Sequence, residues 1–291
     1  MENFSKYKLF SITAETGNLS KTAELTGYTQ SGVSHILKKL EEEINLTLFV
    51  RDRYGVHLTP VGGEFLKYVN SLLAEEEKLK QFIYDTNGFE YGSIRIGTYS
   101  SICTHWLPSI LNAFQVDHPK VQITLKEGGI KELENWLLQR DVDLILCSNQ
   151  EKKNYEFYPL RNDELMAVLP YEYGFAGNAF PLKEFERIPS ILPESDVDSD
   201  IYSLFHKHHI TPNIRFTAKD NLTIMAMVEQ NLGISIVPSL ALGDNHRNVK
   251  IVPIEQESER QLGIGLLDEK ILSPLAEKFY IFLQNYFKED E

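Results

Sequence analysis

Cysteine is scarce in this chain of 291 residues: Cys103 and Cys147 are the whole supply, each inside an apolar run. Two thiols exclude a framework of several bridges and suit a reducing compartment. Long apolar stretches are missing too, and none approaches the roughly 18–20 residues that a membrane-spanning helix needs. The opening, MENFSKYKLF, has no positive segment leading into an apolar core, so no secretion signal is expected. Enzyme signatures are absent as well: there is no G-x-S-x-G elbow, phosphate-binding loop, G-x-G-x-x-G turn or H-E-x-x-H pair. Ser100, Ser101 and His105 lie close together, but nothing marks a third catalytic partner. These absences predict a cytoplasmic protein without a membrane anchor, catalytic centre, metal or cofactor.

A surplus of positive charge is also lacking: 29 Lys and Arg stand against 42 Asp and Glu, a net of −13. Distribution matters more than the sum. Residues 1–60 hold as many basic as acidic residues, whereas 61–90 and 91–291 are both net acidic. The N-terminal segment is the least acidic part of the chain, and its cations are clustered, so DNA stays open as a partner. Hydrophobic residues make up 42% of the sequence, ample for packed cores. The length suits more than one domain, at roughly 100–200 residues each.

Phe4, Tyr7, Phe10 and Ala14 recur at helical spacing, and Gly17-Asn18 ends that helix. Ser20 is a plausible N-cap for a short second helix through Leu25, which Gly27 closes. TQSGVSHILKKLEEEI (29–44) follows after a tight turn, which makes a helix-turn-helix pattern. In this third helix Val33, Ile36, Leu37, Leu40 and Ile44 form one apolar stripe. Gln30, Ser31, Ser34, His35 and Lys38 lie on the other side, towards the N-terminus. Glu41, Glu42 and Glu43 sit at the opposite end, where the helix dipole disfavours them and where they would repel phosphate. The N-terminal half must therefore lead if this helix enters a groove. Asn45 then stands where a left-handed residue closes a helix.

LTLFVRD and GVHLT, around Tyr54-Gly55, read as a hairpin or wing that carries Arg51 and Arg53. From Pro60 a long helix places Val61, Phe65, Val69, Leu72, Leu79 and Ile83 in a coiled-coil-like seam, interrupted by Glu76 and running to Asn87-Gly88. From Ser93 the pattern becomes strand–helix alternation: SIRIG, a helix bearing Trp106 to Phe114, VQITL, a helix with Leu133 and Trp136, and VDLILC. ELMAVLP, IPSIL, a helix near 199–208, IRFTA, a helix near 221–231 and GISIVP follow, with QLGIGLL and a helix over 273–287 at the end. Such alternation predicts an α/β fold with a mostly parallel sheet.

Residues 1–60 resemble the winged helix-turn-helix of the LysR-type transcriptional regulators. The likeness rests on Phe10, Ala14, GNLSKTA (17–23), TQSGVSHILKKLE (29–41), LF (48–49), Arg51 and LTPVGG (58–63). KDNLTIMAMVEQNLGISIVP (219–238) also looks like a helix and strand of that family's effector domain. The resemblance implies a winged helix-turn-helix over 1–60, a dimerising linker helix over 61–90, and an effector-binding domain over 91–291. That domain would be a two-lobed, periplasmic-binding-protein-like α/β unit, with lobe I about 91–162 and 261–291 and lobe II about 163–260. It also implies a homo-oligomer, dimer or tetramer, on a pseudo-palindromic promoter site in double-stranded DNA, with RNA polymerase a candidate further partner. Position by position, it assigns Gln30, Ser31, Ser34, His35 and Lys38 to the DNA groove, Thr29 to a cap or phosphate, and Arg51 and Arg53 to the wing. Three departures stand out: Lys21-Thr22 before Ala23, Asn45 for the usual Gly, and His35 where Arg is frequent.

In open parallel sheets ligands bind beyond the carboxyl ends of strands, near helix starts. Here those ends are TYSS (98–101), Gly128-Gly129, Ser148-Asn149, PESD (193–196) and Asp220 to Thr223. The family places effector contacts in corresponding loops, which makes Thr98, Ser100, Ser101, Gly128 and Thr223 the first candidates. Hydroxyls at helix starts favour a small carboxylate or another oxyanion. Glu194, Asp196, Asp198 and Asp200 would instead suit an amine or a metal, although a solvated acidic loop is the simpler reading. The alternative function on this architecture is a thiol-redox sensor through Cys103 and Cys147, or a metal sensor through His206, His208 and His209. The histidines lack the cysteine or carboxylate partners usual in a structural zinc site.

Overall fold

A computed structural model describes residues 5–52, 55–86, 92–242, 248–269 and 272–289. Phe4, Arg53, Tyr54, Asn87 and Gly88, singled out above, lie outside them. The chain divides into two compact units, residues 1–89 with 138–141, and 90–137 with 142–291.

The first unit begins with helices α1 (Ser5–Thr16), α2 (Leu19–Thr26) and α3 (Gln30–Ile44). The N-cap of α2 is Asn18, not the expected Ser20: its Oδ1 accepts from the amides of Ser20 and Lys21. An Asx side chain two residues earlier reaches two unpaired donors at once. Gly27 closes α2 in the left-handed conformation, and Asn45 does the same for α3 at φ 53°. Thr29 caps α3 by accepting from the Gly32 amide at 3.1 Å. Strands β1 (Phe49–Asp52) and β2 (Gly55–Leu58) pair antiparallel as the expected hairpin. Leu9, Phe10, Val33, Leu37, Leu40 and Leu48 are at most 1% exposed and form the core of this unit. Each such side chain contributes roughly 1.5–3 kcal/mol by leaving water. The long α4 (Pro60–Thr86) adds the buried Val69, while Val61, Leu72, Leu79 and Ile83 expose much of their surface.

In the second unit, β3 (Gly92–Thr98) leads into two helices rather than one, α5 (Ser100–His105) and α6 (Leu107–Asp117). Pro108 has no N–H to give to an earlier carbonyl, but its ring suits a first turn, so the helix restarts there. Strand β4 (Val121–Glu127), helix α7 (Ile130–Leu138) and strand β5 (Leu144–Ser148) follow. Next comes β6 (Glu156–Pro170), 15 residues long. A short 3-10 turn (Leu182–Glu186) precedes β7 (Ser190–Pro193), α8 (Ser199–Lys207), β8 (Ile214–Ala218) and α9 (Asn221–Glu229). The chain continues through β9 (Ser235–Pro238), α10 (Ser239–Leu242), β10 (Val249–Pro253), β11 (Glu259–Leu266) and α11 (Pro274–Glu289). Of these, α10 and β10 lie where the sequence pattern names no element.

Parallel pairing is less general than expected. It joins β3 to β4, β3 to β5 and β7 to β8, whereas β11 runs antiparallel to β5 and β6, and β6 antiparallel to β9 and β10. Strand β11 enters the sheet between β5 and β6 from far along the chain and runs against both. The first half of β6 pairs with β11, and its second half, from Leu165 on, lies between β9 and β10. One long strand thus belongs to both halves of the unit. A bulge interrupts its pairing between Leu262 and Gly263, opposite Pro159, which cannot donate to the ladder. A Cβ on Gly263 would stand 2.2 Å from the Tyr158 carbonyl oxygen, so only glycine fits this close approach.

Of the three apolar clusters that the described residues form on this frame, two are the largest. One packs β3, β5 and β11 against α6, α7 and α11, with Phe114 edge-on to Phe279 at 4.9 Å. The other gathers Leu169, Phe180, Phe185, Phe205 and Ile236 beneath the second half of β6. Among the described residues, no helix is long and apolar enough to cross a membrane.

Candidate DNA-reading face and effector cavity

On α3 the residues expected to face DNA lie outside the core. Thr29, Gln30, Ser31, His35 and Lys38 are exposed, and Ser34 is half-buried. Arg51, on β1, donates from Nη1 to the Ser34 hydroxyl at 2.7 Å, which sets a wing cation against the outer face of α3. The structure brings six of the eight expected DNA residues onto one helix and its N-cap and adds Arg51 through this bond; Arg53 is outside the described residues. A helix start also offers free amides and a positive dipole end to phosphate.

The glutamates at the other end of α3 have partners of their own. Glu41 Oε1 accepts from the amides of Leu48 and Phe49, at 2.7 and 3.0 Å, and so ties the helix to the entry of β1. Glu42 lies 3.6 Å from the Lys38 ammonium, and Glu43 pairs with Lys6 on α1. The acidic tail therefore serves the fold of the unit, a role that no local pattern signals.

In the second unit, the strand ends surround a cavity of about 350 Å³. Tyr99, Ser100 and Ser101 line it from the end of β3, and Glu127, Gly128 and Gly129 from the end of β4. Pro193, Val197 and Asp198 contribute from the end of β7 and the loop after it, and Lys219 to Leu222 from beyond β8. At its floor the two loop sets touch: the Ile130 amide donates to the Val197 carbonyl at 3.3 Å. A Cβ on Gly129 would lie 2.5 Å from Val197 Cα, so a side chain there would force these loops apart. Ser100, Ser101 and Gly128 thus line the cavity as expected. Thr98 and Thr223 are not among its lining residues. The Thr98 hydroxyl is buried and donates to the Tyr99 carbonyl, while Thr223 is held by the α9 cap, Asp220.

Arg260, on β11, is the cation at the back of this cavity, and its side chain is 4% exposed. Its Nε donates to Asp163 Oδ2 at 2.9 Å, and its Nη1 donates to Asp198 Oδ2 at 3.3 Å and stands 3.7 Å from Asp200 Oδ2. The guanidinium also faces the Tyr99 ring at 5.6 Å. Asp163 is the register partner of Arg260 across β6 and β11, and its other oxygen accepts from Ser239 Oγ and the Leu240 amide. Asp198 caps α8 through the Asp200 amide. Burial pushes the Asp198 carboxyl up to about 6, against the pull of Arg260 and with a further push from Asp200. Burial opposes the charge of Arg260, yet the three aspartates outweigh it and hold the guanidinium firmly protonated. A polar chain runs on from the Tyr99 hydroxyl through Ser148 and Gln150 to Ser199, with steps of 3.0, 2.8 and 2.7 Å.

The reading of the 194–200 segment as a solvated loop is corrected here. Asp198 is buried and Asp200 nearly so, because both turn inward to the guanidinium, while Asp196 remains exposed. Tyr99, Asp163 and Arg260 were not singled out by the sequence pattern. One signal was present: opposite charges, Asp163 and Arg260, each just before an apolar run, ELMAVLP and QLGIGLL.

The geometry agrees with what known proteins contribute. Residues 87–288 match the family model described as the LysR substrate binding domain, and residues 4–63 match the bacterial regulatory helix-turn-helix protein of the lysR family. The chain belongs to the LysR family. Among curated relatives, the HTH-type transcriptional regulator YvbU of Bacillus subtilis (strain 168), itself uncharacterized, is 29% identical over 285 residues, or 95% of this chain and 96% of YvbU. The effector binding domain of QuiR, solved in complex with shikimate, is 25% identical with a TM-score of 0.63, over 68% of this chain and 98% of that one. Full-length CbnR complexed with its target DNA is 18% identical with a TM-score of 0.68, over 97% and 99% of the two chains, and so shares the fold. This LysR-type protein is a DNA-binding transcriptional regulator with an effector-binding domain, and its relatives are regulators rather than enzymes.

The thiols of this LysR-type regulator are poorly placed for redox sensing. Cys147 is fully buried in β5, and burial raises its thiol to about 12; Cys103 is raised to about 11 by burial and by Glu127. Both are held as thiols at neutral pH, whereas the thiolate is the reactive form. Among the described residues, no group of three or more His, Cys, Asp or Glu is arranged to hold a metal ion.

Proposed function

We propose that the 350 Å³ cavity is the effector site and that its occupancy controls how this regulator engages a pseudo-palindromic promoter site. The observation that carries this reading is that both halves of the second unit supply walls. A ligand there contacts the β3 and β4 ends and the β7 and β8 ends together. A ligand can shift a conformational equilibrium only through differential affinity for its states, and a cavity walled by both halves can supply that difference. Ser100, Ser101 and Gly128 are the proposed contacts, with Thr98 and Thr223 acting through the loops that they brace.

Gln30, Ser31, Ser34, His35 and Lys38 are the proposed groove contacts. Thr29 caps the reading helix beside phosphate, and Arg51 and Arg53 meet the DNA backbone. The exposed stripe of Val61, Leu72, Leu79 and Ile83 on α4 supports a homodimer, and pairs of dimers would make a tetramer. The regulator would act in the cytoplasm, where altered DNA bending changes access for RNA polymerase.

The test is a binding titration of the full chain on DNA from its own promoter region across a range of salt. Lys38→Ala and Arg51→Ala should each weaken binding, and each should reduce the salt slope by about 1. An unchanged slope in both variants would remove the DNA assignment. For the cavity, a ligand that raises the melting temperature of the full chain should also change its footprint on the DNA. An identical footprint at saturation would end the effector reading.

A further inference from the structure

The charge count around the cavity selects a class of effector, an inference that rests on the cavity being the effector site. Arg260 faces three carboxylates, Asp163, Asp198 and Asp200, at nitrogen–oxygen distances of 2.8, 3.3 and 3.7 Å. The side chains of these four residues are only 4%, 3%, 11% and 13% exposed. One guanidinium balances one carboxylate, so the cluster carries an excess of negative charge that water reaches poorly. Buried charge without a counter-charge is costly, and the raised carboxyl of Asp198 reflects that strain. At the rim, Glu127, Glu132 and Asp220 outnumber Lys219, so the lining does not offset the excess.

Two buried atoms of this cluster are left without hydrogen bonds. They are Asp200 Oδ2 and Arg260 Nη2, the latter in ion-pair range of Asp163 but not aligned with it. Arg260 and Asp198 both line the cavity. The Nη2 nitrogen is itself closed to solvent, so a ligand acceptor meets the guanidinium through the part of Arg260 that lines the cavity. A ligand carboxylate placed there would add a fourth negative charge around one cation, whereas a hydroxyl or carbonyl oxygen would add none. Ser100, Ser101, Thr104 and Asn221 supply further neutral hydrogen-bonding groups along the walls.

We propose that the effector is a small, hydroxyl-bearing amine whose ammonium sits against Asp198 and whose hydroxyls meet Arg260 and the serine wall. This reverses the preference for a carboxylate that hydroxyl-rich helix starts suggest on their own. An ammonium entering the cavity supplies the missing positive charge and gives the carboxylate cluster a counter-ion.

The experiment measures the melting temperature of the full chain against a metabolite panel split into matched amines and carboxylates, with D-glucosamine, D-glucose and D-gluconate as one set. Amines with hydroxyls should raise the melting temperature, and gluconate should leave it unchanged or lower it. Stabilisation by carboxylates and not amines would overturn the inference and leave the effector reading intact; stabilisation by no member would remove both. A second measurement needs no ligand. Asp198→Asn keeps the helix cap, since Asn and Asp cap equally well, and removes one charge. The ligand-free variant should melt at or above the wild-type temperature and lose its response to amines. A lower melting temperature in that variant would overturn the charge excess on which the inference stands.

Discussion

Replacing Arg260 with leucine should be among the most destabilising single changes in the second unit. The side chain is 4% exposed and serves three aspartates, so its loss leaves Asp163, Asp198 and Asp200 facing one another without a cation. Asp163 would keep its bonds from Ser239 and Leu240 on one oxygen, but both of its contacts with Arg260 are on the other. Removing one partner of a buried ion pair costs about 3–5 kcal/mol. At about 2–4 °C per kcal/mol for a unit of this size, the melting temperature should fall by roughly 6–20 °C at neutral pH.

The penalty should also depend on pH, with a sign set by Asp198. Its folded-state pKa, about 6, lies above the ordinary value of 3.8. Its contribution to folding is therefore fully present below that ordinary value and is lost as the pH rises through the folded one. Without Arg260 the carboxyl rises further, so protonation relieves more of the repulsion in the variant than in the wild type. The gap in melting temperature should narrow between about pH 7.5 and about pH 5.5. Thermal unfolding of both proteins at the two pH values decides the matter. A gap equivalent to under about 1 kcal/mol, or one that does not change with pH, would refute the reasoning.

Four further outcomes are expected. Glu41→Ala should lower the stability of the first unit by about 2 kcal/mol in a urea titration, because two amides lose a charged acceptor. Glu42→Ala, which loses only an exposed pair with Lys38, should stay within about 0.5 kcal/mol of wild type. Leu79→Glu places a charge on the exposed stripe of α4, where Leu79 is 60% exposed, and should shift the full chain to a smaller species in sedimentation without changing its circular dichroism. Cys103→Ser should respond to effector as the wild type does, and mild peroxide should leave DNA binding unchanged in both, because neither thiol is ionised at neutral pH. Loss of DNA binding on peroxide treatment would restore the redox alternative.

Local chemistry alone determined the first unit and the order of most elements. Thr29 and Asn45 bracket α3 because a hydroxyl cap and a left-handed Asn act within one helical turn. The stripe of Val33, Leu37 and Leu40 declares the buried face by its spacing, so the outward residues follow from what remains. Strand–helix alternation likewise foretold where the strand ends, and therefore the cavity, would lie. Tertiary structure decided what those ends contain. Arg260 meets Asp163 from 97 positions away, a pairing set by the register of β11 on β6 and invisible to any local period. Asp198 and Asp200 look like a solvated loop until that guanidinium draws them inward. The glutamates of α3 look like a bare acidic end until β1 and α1 arrive to use them. Helical spacing and caps are properties of neighbours in the chain, whereas burial and charge pairing belong to whichever strands the folded chain sets side by side.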